Sequence, residues 1–439
     1  MRTAIVFLLF FATLPLALAN AWIAPVLYVF MSVMNPHKLT YGAALIFPFA
    51  QIAAVVSLFM LFITKDRRMP PKHPIFFLLV TLYLWMGITS FFAINPEERV
   101  WTQWVEVSKT YLMVVVILIL VHEKKSIQIY TAVLVGSIAF YGFKGGIFTI
   151  LTGGSERVWG APGSVIHGNN EIGLGIVMVV PFLAYYYSQS RSFAVRMGLV
   201  VLGVLCAVAV LGTQSRGAAV ALAAMAFFLA AKSKHPFIAV AALILSAIVA
   251  FMLMPDAWTD RMLTMRNHEA DGSAMSRLAT WSMLLNVVSD RPIVGAGFAL
   301  DNVNLYLKYH ASYNMGDIPY GPHSVYFQAL GEHGYVGLIL YLSILILTWW
   351  TLGTLSKRLA SIPEQQWAAQ LCRMAQVGLV GFCAGGAFLG LMHWDVPFYL
   401  ITLCMIMVRY ANDFETEDVV AVPAEGRVGL RYSRNSGFG

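Results

Sequence analysis

Charged residues are scarce in this sequence. They occupy 12% of its 439 positions, against about 25% in an average soluble domain. Hydrophobic residues make up 59%, and the mean hydropathy is +0.71. This composition excludes an ordinary soluble domain and predicts an all-α, polytopic membrane protein. A membrane β-barrel is disfavoured, because its strands alternate polar and apolar residues, whereas the apolar runs of this chain are continuous.

Cysteine and the common cofactor motifs are also scarce or missing. The four cysteines lie in or beside apolar segments without paired spacing, which is typical of small core residues: Cys206, Cys372, Cys383 and Cys404. The sequence has no Walker loop, no G-x-G-x-x-G unit and no DxD pair of the kind that metal-dependent glycosyltransferases use. No carboxylate pair or His/Cys cluster has the spacing of metal ligands. We therefore expect no cofactor, no metal and no nucleic-acid partner.

Apolar runs fill nearly the whole chain. Each approaches the ~20 residues that cross ~30 Å of hydrocarbon. The N-terminal run resembles a cleavable signal peptide, but apolar residues resume at Trp22, so we predict an uncleaved span broken near Asn20. About twelve transmembrane helices are predicted in all. The later spans are expected at 41–64, 73–93, 105–121, 126–149, 169–187, 196–212, 216–231, 235–253, 323–355, 373–391 and 396–410.

Lysine and arginine cluster in alternate short loops, which orients the chain. The basic loops carry Lys65 to Lys72, Lys124, Arg191, Lys232 and Lys357. By the positive-inside rule these loops face the cytoplasm. The chain then divides into helices 1–9 at 1–254, a large periplasmic loop at 255–322, helices 10–12 at 323–410, and a disordered cytoplasmic tail at 411–439. The active site of this multi-pass membrane protein is therefore predicted to face the periplasm of a bacterial inner membrane, or the cell exterior in a cell with a single membrane.

The large loop and the span after it hold the best candidate for a general base. His323 follows Pro322 at the mouth of the predicted span, so we place His323 or Ser324 in the first helical turn. The positive end of a helix dipole favours a neutral imidazole, the form that a base requires near pH 7. Glu332, nine positions on, is expected on the opposite helix face and not as a partner. The alternative is that His323 is an ordinary polar residue at the membrane interface.

Two arginines on the same predicted side could hold an anion. Arg216 lies in a tight outward turn, where Gly212 and Gly217 leave backbone room for a phosphate to approach. Arg277 begins a segment with apolar residues at helical spacing, which predicts an amphipathic helix on the outer surface with Trp281 at the interface. A snorkelling anchor is the alternative for Arg216, and an anionic-lipid contact is the alternative for Arg277.

The three residues together fit one chemistry better than each does alone. Two guanidiniums can bind a diphosphate bidentately and stabilise the charge that builds up as it leaves. A histidine can meanwhile deprotonate an acceptor hydroxyl. This combination predicts a metal-free glycosyl transfer from a lipid-diphosphate-linked sugar. Weaker candidates for substrate binding are Arg157, Asn169, Lys308 and His393.

The chain resembles the O-antigen ligase and O-antigen polymerase superfamily at four places: Ser215-Arg216-Gly217, Ser276-Arg277 through Trp281, Pro292 with Gly295-Ala-Gly297, and the stretch from His323 to Gly337. The predicted arrangement, with one large loop before a span that opens with the histidine, is similar too. Ser324 departs from the Asn that many members have there, which leaves the subfamily open.

The resemblance implies a GT-C-like fold, an undecaprenyl-diphosphate-linked glycan donor and metal-independent, inverting transfer. It assigns the base to His323 and diphosphate binding to Arg216 and Arg277. Our interpretation is an O-antigen ligase with lipid A–core as acceptor, surrounded by membrane lipids. The alternatives are a polymerase, a protein O-oligosaccharyltransferase, or a small-molecule transporter. A transporter predicts charges at mid-bilayer, whereas the span charges that we considered, at Glu106, Lys109 and Lys144, lie near the outer ends.

Overall fold

A computed structural model describes residues 1–94, 96–231, 235–238, 240–241, 244–245, 272–309 and 319–421. The described residues form α-helices, two short 3₁₀ turns and connecting loops, without a strand. The α-helices, numbered in chain order, are α1 Arg2–Ala19, α2 Ile23–Val33, α3 Ala43–Ile46, α4 Phe49–Ile63, α5 Pro74–Phe91, α6 Glu97–Leu120, α7 Lys124–Leu151, α8 Asn169–Gln189, α9 Phe193–Gly212, α10 Arg216–Ala231, α11 Gly272–Asp290, α12 Val303–Tyr309, α13 Val325–Ala360, α14 Gln366–Gly386 and α15 Asp395–Ala421.

Seven helices in the described part of the chain are long and apolar enough to cross a membrane: α1, α5, α6, α7, α8, α9 and α13. Three shorter apolar helices, α2, α4 and α10, accompany them. The all-α, multi-pass class is therefore confirmed. The count of twelve stays a prediction, and most of the span expected at 235–253 lies outside the described residues.

Several predicted boundaries move, each for a local reason. The break near Asn20 is confirmed, since α1 ends at Ala19 and α2 begins at Ile23. The single span expected at 41–64 is wrong, because Pro48 separates the short α3 from α4. Helix α6 starts at Glu97, well before 105, and α15 continues to Ala421, past the predicted limit of 410. The rest of the tail lies outside the described residues.

The central helices pack around α8, α14 and α13. Helix α14 lies against α8, α10 and α13, and α7 lies against α9. Their apolar side chains form one large core, in which Cys206, Cys372 and Cys404 are buried and Cys383 is half-buried. The interpretation of the cysteines as core residues is confirmed.

Basic connections gather at one end of this bundle. The Arg68 amide donates to the Ile119 carbonyl at 3.1 Å, and Arg409 in α15 donates to the carbonyls of Leu118 and Val121. Lys124 lies over the Trp367 ring at 5.1 Å. Helices α10 and α13 begin at the opposite end of the bundle. This arrangement agrees with the predicted alternation of basic loops, while the side of the membrane that each end faces stays a prediction.

The described part of the large loop builds a second, smaller core. Helix α11 packs on α12 and on α13, and the shared apolar cluster includes Met283, Leu284, Val287, Leu300 and Leu305. The loop is therefore a packed layer beside the start of α13. Its positions 255–271 and 310–318 lie outside the described residues.

Candidate active site

The start of α13 is built around a capped turn. Ser324 is the N-cap, and its side chain accepts a hydrogen bond from the Phe327 amide at 3.4 Å. His323 precedes the cap with a φ of 46°, in the left-handed region that few non-glycine residues adopt. Placing His323 or Ser324 in the first turn was therefore wrong. The preference of serine for the cap position puts both residues just before the helix.

Two other segments hold His323 in this conformation. The Trp281 indole donates to the Pro322 carbonyl at 2.8 Å, and its ring stacks on Phe327 with centroids 4.7 Å apart. On the other side lies Gly390, where an added Cβ would be 3.4 Å from the backbone nitrogen of His323. Trp281 is half-buried between these partners, and its place at the membrane interface stays a prediction.

The environment of His323 favours its neutral form. Burial lowers the pKa of His323 below its usual value, and the positive charge of Arg277 lowers it further. The sequence analysis predicts the same neutral form, from the positive end of the helix dipole. The larger cause is desolvation, and the second is a neighbouring guanidinium from another element.

Arg277 reaches this site from the first turns of α11. The predicted helix is confirmed, and it spans Gly272–Asp290. Of its apolar residues at helical spacing, Leu284 and Val288 are buried, whereas Leu278 and Leu285 are exposed. The helix therefore packs one side into the loop's own core, and its position along the outer membrane surface stays a prediction. That packing directs Arg277 towards His323.

Arg216 is the first residue of α10 and follows a second capped turn. The Ser215 hydroxyl accepts from the Ala218 amide at 3.2 Å, and Gln214 has a positive φ of 53°. The Asn169 side chain, which is buried, donates to the Thr213 carbonyl at 2.8 Å. Buried polar contacts thus fix the turn and, with it, the position of the half-buried Arg216.

Arg157 and the glycines also serve this turn. Arg157 donates to the Gln214 side chain at 3.3 Å, and that side chain donates to the carbonyl of Gly154 at 3.1 Å. A Cβ on Gly212 would collide with Thr149, and one on Gly217 would lie 3.2 Å from the Phe388 side chain. The predicted reason for these glycines, room for a phosphate, is therefore replaced by close helix packing. Arg157 and Asn169 bind the turn itself.

One short segment connects the two helix starts. Phe388 packs against Gly217 beside Arg216, and Gly390, two residues later, packs against Pro322 and His323. Residues 388–390 thus connect the turn at Arg216 with His323, and Arg277 acts on His323 from α11. Lys308 is not brought into this group. It lies exposed over the Tyr309 ring at 4.7 Å, and the Tyr309 hydroxyl donates to Asp290 at the far end of α11.

His393 belongs to a buried network that the sequence reasoning missed. Its Nε2 lies 2.6 Å from a carboxylate oxygen of Glu332, and the other oxygen accepts from Gln328 at 3.2 Å. The oxygen of the Gln328 amide in turn accepts from the Met392 amide at 3.1 Å. Glu332 is only 2% exposed, and it ties α13 to the segment that follows α14.

Glu332 also corrects one part of the sequence reasoning. It is a charge inside a spanning helix that the comparison with a transporter, made on Glu106, Lys109 and Lys144, did not include. A carboxylate and a histidine side by side in an apolar helix, Glu332-His333, were the signal that something buries them together. His333 completes the group, with its Nδ1 2.8 Å from the Thr89 hydroxyl.

A break in α13 explains how this part of the helix is held. Gly334 has φ 67° and ψ −170°, so its backbone leaves the helical path. The freed groups pair with the loop after α11: the Tyr335 amide donates to the Pro292 carbonyl at 2.8 Å, and the Gly297 amide donates to the Glu332 carbonyl at 2.9 Å. Gly295 approaches the Gly331 carbonyl so closely that a Cβ would not fit. The segment from Pro292 to Gly297 and the segment from Gly331 to Tyr335 are therefore joined by hydrogen bonds between their backbones.

Glu332, His333 and His393 also offer three ligand atoms within 4.8 Å of one another. The expectation that no such cluster exists rested on spacing along the chain and is corrected, because His393 comes from a distant segment. As it stands, the 2.6 Å separation of His393 and Glu332 is that of a hydrogen bond. Two ligands about 2.0 Å from a tetrahedral zinc ion lie roughly 3.3 Å apart. The cluster would have to open by several tenths of an ångström to hold a metal.

Comparison with known proteins identifies two regions. Residues 201–342 match the family model described as O-antigen ligase, and residues 1–191 match a model described as a family of unknown function. No curated protein matches the chain. The first match contains the turn at Arg216, helix α11 and the break in α13, which are the parts that surround His323. The match over residues 201–342 thus supports the O-antigen ligase and O-antigen polymerase superfamily for this multi-pass membrane protein.

Proposed function

We propose that this protein is an O-antigen ligase, a glycosyltransferase that moves a glycan from undecaprenyl diphosphate to lipid A–core at the periplasmic face of the bacterial inner membrane. The observation that carries the proposal is the environment of His323. This half-buried histidine lies beside Arg277, and its pKa is lowered, so it is neutral near pH 7. A neutral histidine next to a fixed cation suits deprotonation of a hydroxyl close to a diphosphate.

The proposed step is a direct displacement. His323 takes the proton of the acceptor hydroxyl while that oxygen forms a bond to the anomeric carbon of the donor sugar. The bond from that carbon to the diphosphate oxygen breaks, and undecaprenyl diphosphate leaves with the bonding electron pair. Arg216 and Arg277 would bind the leaving diphosphate by charge-assisted hydrogen bonds. Attack opposite the leaving group inverts the anomeric centre.

Two separate arginine contacts to the diphosphate are supported because Arg216 and Arg277 are held by different parts of the structure. Arg216 is fixed by the capped turn that Asn169 and Gln214 hold, and Arg277 by the packed helix α11. Two cations on different elements can each contact one phosphate, which suits a ligand carrying two phosphates better than one small anion. The GT-C-like fold and the count of twelve spans belong to the same proposal.

The experiment is transfer by purified protein in detergent, with a lipid-linked glycan and lipid A–core. Product should form, should persist in excess EDTA, and should be lost in H323A. Abolition by EDTA with rescue by a divalent ion would overturn the metal-free mechanism. Deletion of the protein in cells separates the family alternatives on a polysaccharide gel. Free core without a ladder indicates a ligase, one repeat on core indicates a polymerase, and an unchanged ladder with an unglycosylated protein indicates a protein ligase.

A transporter is the one candidate from a different class that an observation favours. A buried carboxylate beside a break in a spanning helix, as at Glu332 and Gly334, is a feature of transport sites. The detergent experiment separates the two classes, because transport has no meaning without a membrane. Glycan transfer in detergent would exclude a purely transporting role.

A further inference from the structure

Two cavities lie in the seam between α13 and α14. One is near the end of α13 at Lys357, and the other extends to Tyr326, three residues after His323. One has a volume of about 550 Å³ and the other about 650 Å³. Both fall within the roughly 300–1,000 Å³ of typical small-molecule sites. Trp349 lines both, so the two cavities adjoin along the same pair of helices.

The smaller one, which we call the basic cavity, is polar and positive. It is lined by Trp350, Ser356, Lys357, Arg373 and Gln376, among others, and no carboxylate is among its described lining residues. Lys357 and Arg373 are exposed. Within the described ranges neither of them forms a hydrogen bond or an ion pair. Two cations that face one cavity without a counter-charge provide a site for an anion.

The larger one, which we call the apolar groove, has the opposite character. Leu342, Leu345, Ile346 and Val380 line it, and Ile346 is 61% exposed, so the groove opens to the outside of the bundle. Its Tyr326 hydroxyl is satisfied by the Cys383 carbonyl at 2.7 Å. A hydrocarbon chain is the ligand that such a surface favours, because little in it offers a free hydrogen bond.

The part of the seam from Lys357 to Leu342 matches the length of one lipid in one leaflet. The distance along α13 from Leu342 to Lys357 is about 22 Å at about 1.5 Å per residue. Half of a bilayer about 40–45 Å thick, headgroups included, is about 20–22 Å. A phosphate at Lys357 therefore puts the end of its acyl chain near Leu342. Trp349 and Trp350 lie between, as tryptophans do near membrane interfaces.

We propose that this seam is a binding site for an anionic phospholipid. The phosphate lies between Lys357 and Arg373, and one acyl chain fills the apolar groove. Basic pockets between membrane helices on the cytoplasmic side recognise such headgroups. The apolar groove extends to Tyr326, close to His323, so the donor's polyprenyl tail is the competing occupant. Under the proposed function its diphosphate belongs near His323, whereas the cations of the seam are at the opposite end of α13. Only this exclusion of the polyprenyl tail rests on the proposed glycosyl transfer.

The test is native mass spectrometry of the full chain in detergent, titrated with dioleoyl phosphatidylglycerol or dioleoyl phosphatidylcholine. Wild type should bind one phosphatidylglycerol about 30-fold more tightly than phosphatidylcholine, and K357Q/R373Q should lose that preference. Both residues are exposed, so the variant should fold. The matched control is K125Q/R191Q, which removes two exposed charges in other basic loops and should retain the preference. Equal loss in both variants would mean general surface attraction and would overturn the site.

Two further measurements examine the acyl chain. A384F places a ring in the apolar groove and should weaken phosphatidylglycerol binding several-fold. Glycerol 3-phosphate, which has the phosphate without the chains, should not compete at the same concentration. Unchanged binding by A384F, or equal competition by glycerol 3-phosphate, would reduce the site to a simple anion site. If undecaprenyl phosphate displaces phosphatidylglycerol at equal concentration, the occupant is a polyprenyl lipid and the proposal is wrong.

Discussion

The starts of α10 and α13 carry Arg216 and His323, and they are built alike except for the position of the candidate residue. Both use a serine cap, Ser215 before α10 and Ser324 before α13. Both also place a non-glycine residue in the left-handed region beside the cap. At α10 that residue is Gln214, and the arginine follows inside the helix. At α13 that residue is His323 itself.

The difference matches the proposed roles. A diphosphate-binding cation needs a rigid base, and the turn at Arg216 is pinned by buried contacts from Asn169 and Gln214. A strained residue persists only where its surroundings fix it, and Trp281 and Gly390 do so for His323. The left-handed conformation is therefore adopted by a supporting residue, Gln214, before α10 and by the candidate base, His323, before α13.

The largest expected effect is on turnover at the second start. H323A should lower the rate by roughly 10²–10⁴-fold while leaving donor binding nearly intact, because a base acts on the acceptor. Single-turnover rates and donor affinity on folded protein of equal expression would measure this. If H323A loses donor binding yet retains turnover of bound donor, His323 is a donor-site residue and the contrast between the two starts fails.

The arginines should show the reverse pattern. R216A and R277A should each weaken donor binding by about 10- to 150-fold, since each removes a charge-assisted contact worth about 1.5–3 kcal/mol. Lysine should restore only part of the affinity, because it offers a point charge in place of a fork. Donor titration is the measurement. Unchanged affinity in both alanine variants would remove the diphosphate assignment.

A smaller effect should appear in the pH profile. The folded pKa of His323 is lowered by burial and by Arg277, so activity should be lost as the pH falls through this depressed pKa. R277Q removes the cation and raises that pKa, so the acidic limb should move to higher pH, though burial keeps part of the shift. R216Q is the matched control, because Arg216 is not a cause of the lowered pKa. Equal movement of the limb in both variants would contradict the assignment.

The smallest effect concerns the scaffold of the first start. N169A leaves the buried Thr213 carbonyl without its donor, at a stability cost of about 1–3 kcal/mol, and should loosen Arg216. A few-fold loss of donor affinity is expected, with the pH profile unmoved. S155A, at an exposed position in the neighbouring loop, should change neither the stability nor the donor affinity. If N169A lowers turnover of bound donor while donor affinity stays constant, Asn169 serves the chemistry and not the turn.

The candidate residues could be found from the sequence because polar residues are so rare in it. A histidine at the mouth of an apolar run, an arginine in a short turn and an arginine at the start of a helical segment stand out at 12% charge. Their supports could not be found in this way. The contacts of Asn169 with Thr213 and of Trp281 with Pro322 could not be predicted, because a sequence shows the type of a side chain but not the partner that folding brings to it.

By itself, the sequence determined the membrane class, the multi-pass helical plan and the break near Asn20, because these follow from local hydropathy and chain geometry. Only the tertiary structure decided which distant groups meet. The Glu332–His393 pair joins α13 to a segment that precedes α15, and the pairing of Gly297 with Glu332 needs the break at Gly334. Buried polar groups must be satisfied, but the sequence does not say by which partner; that depends on the packing of the whole bundle.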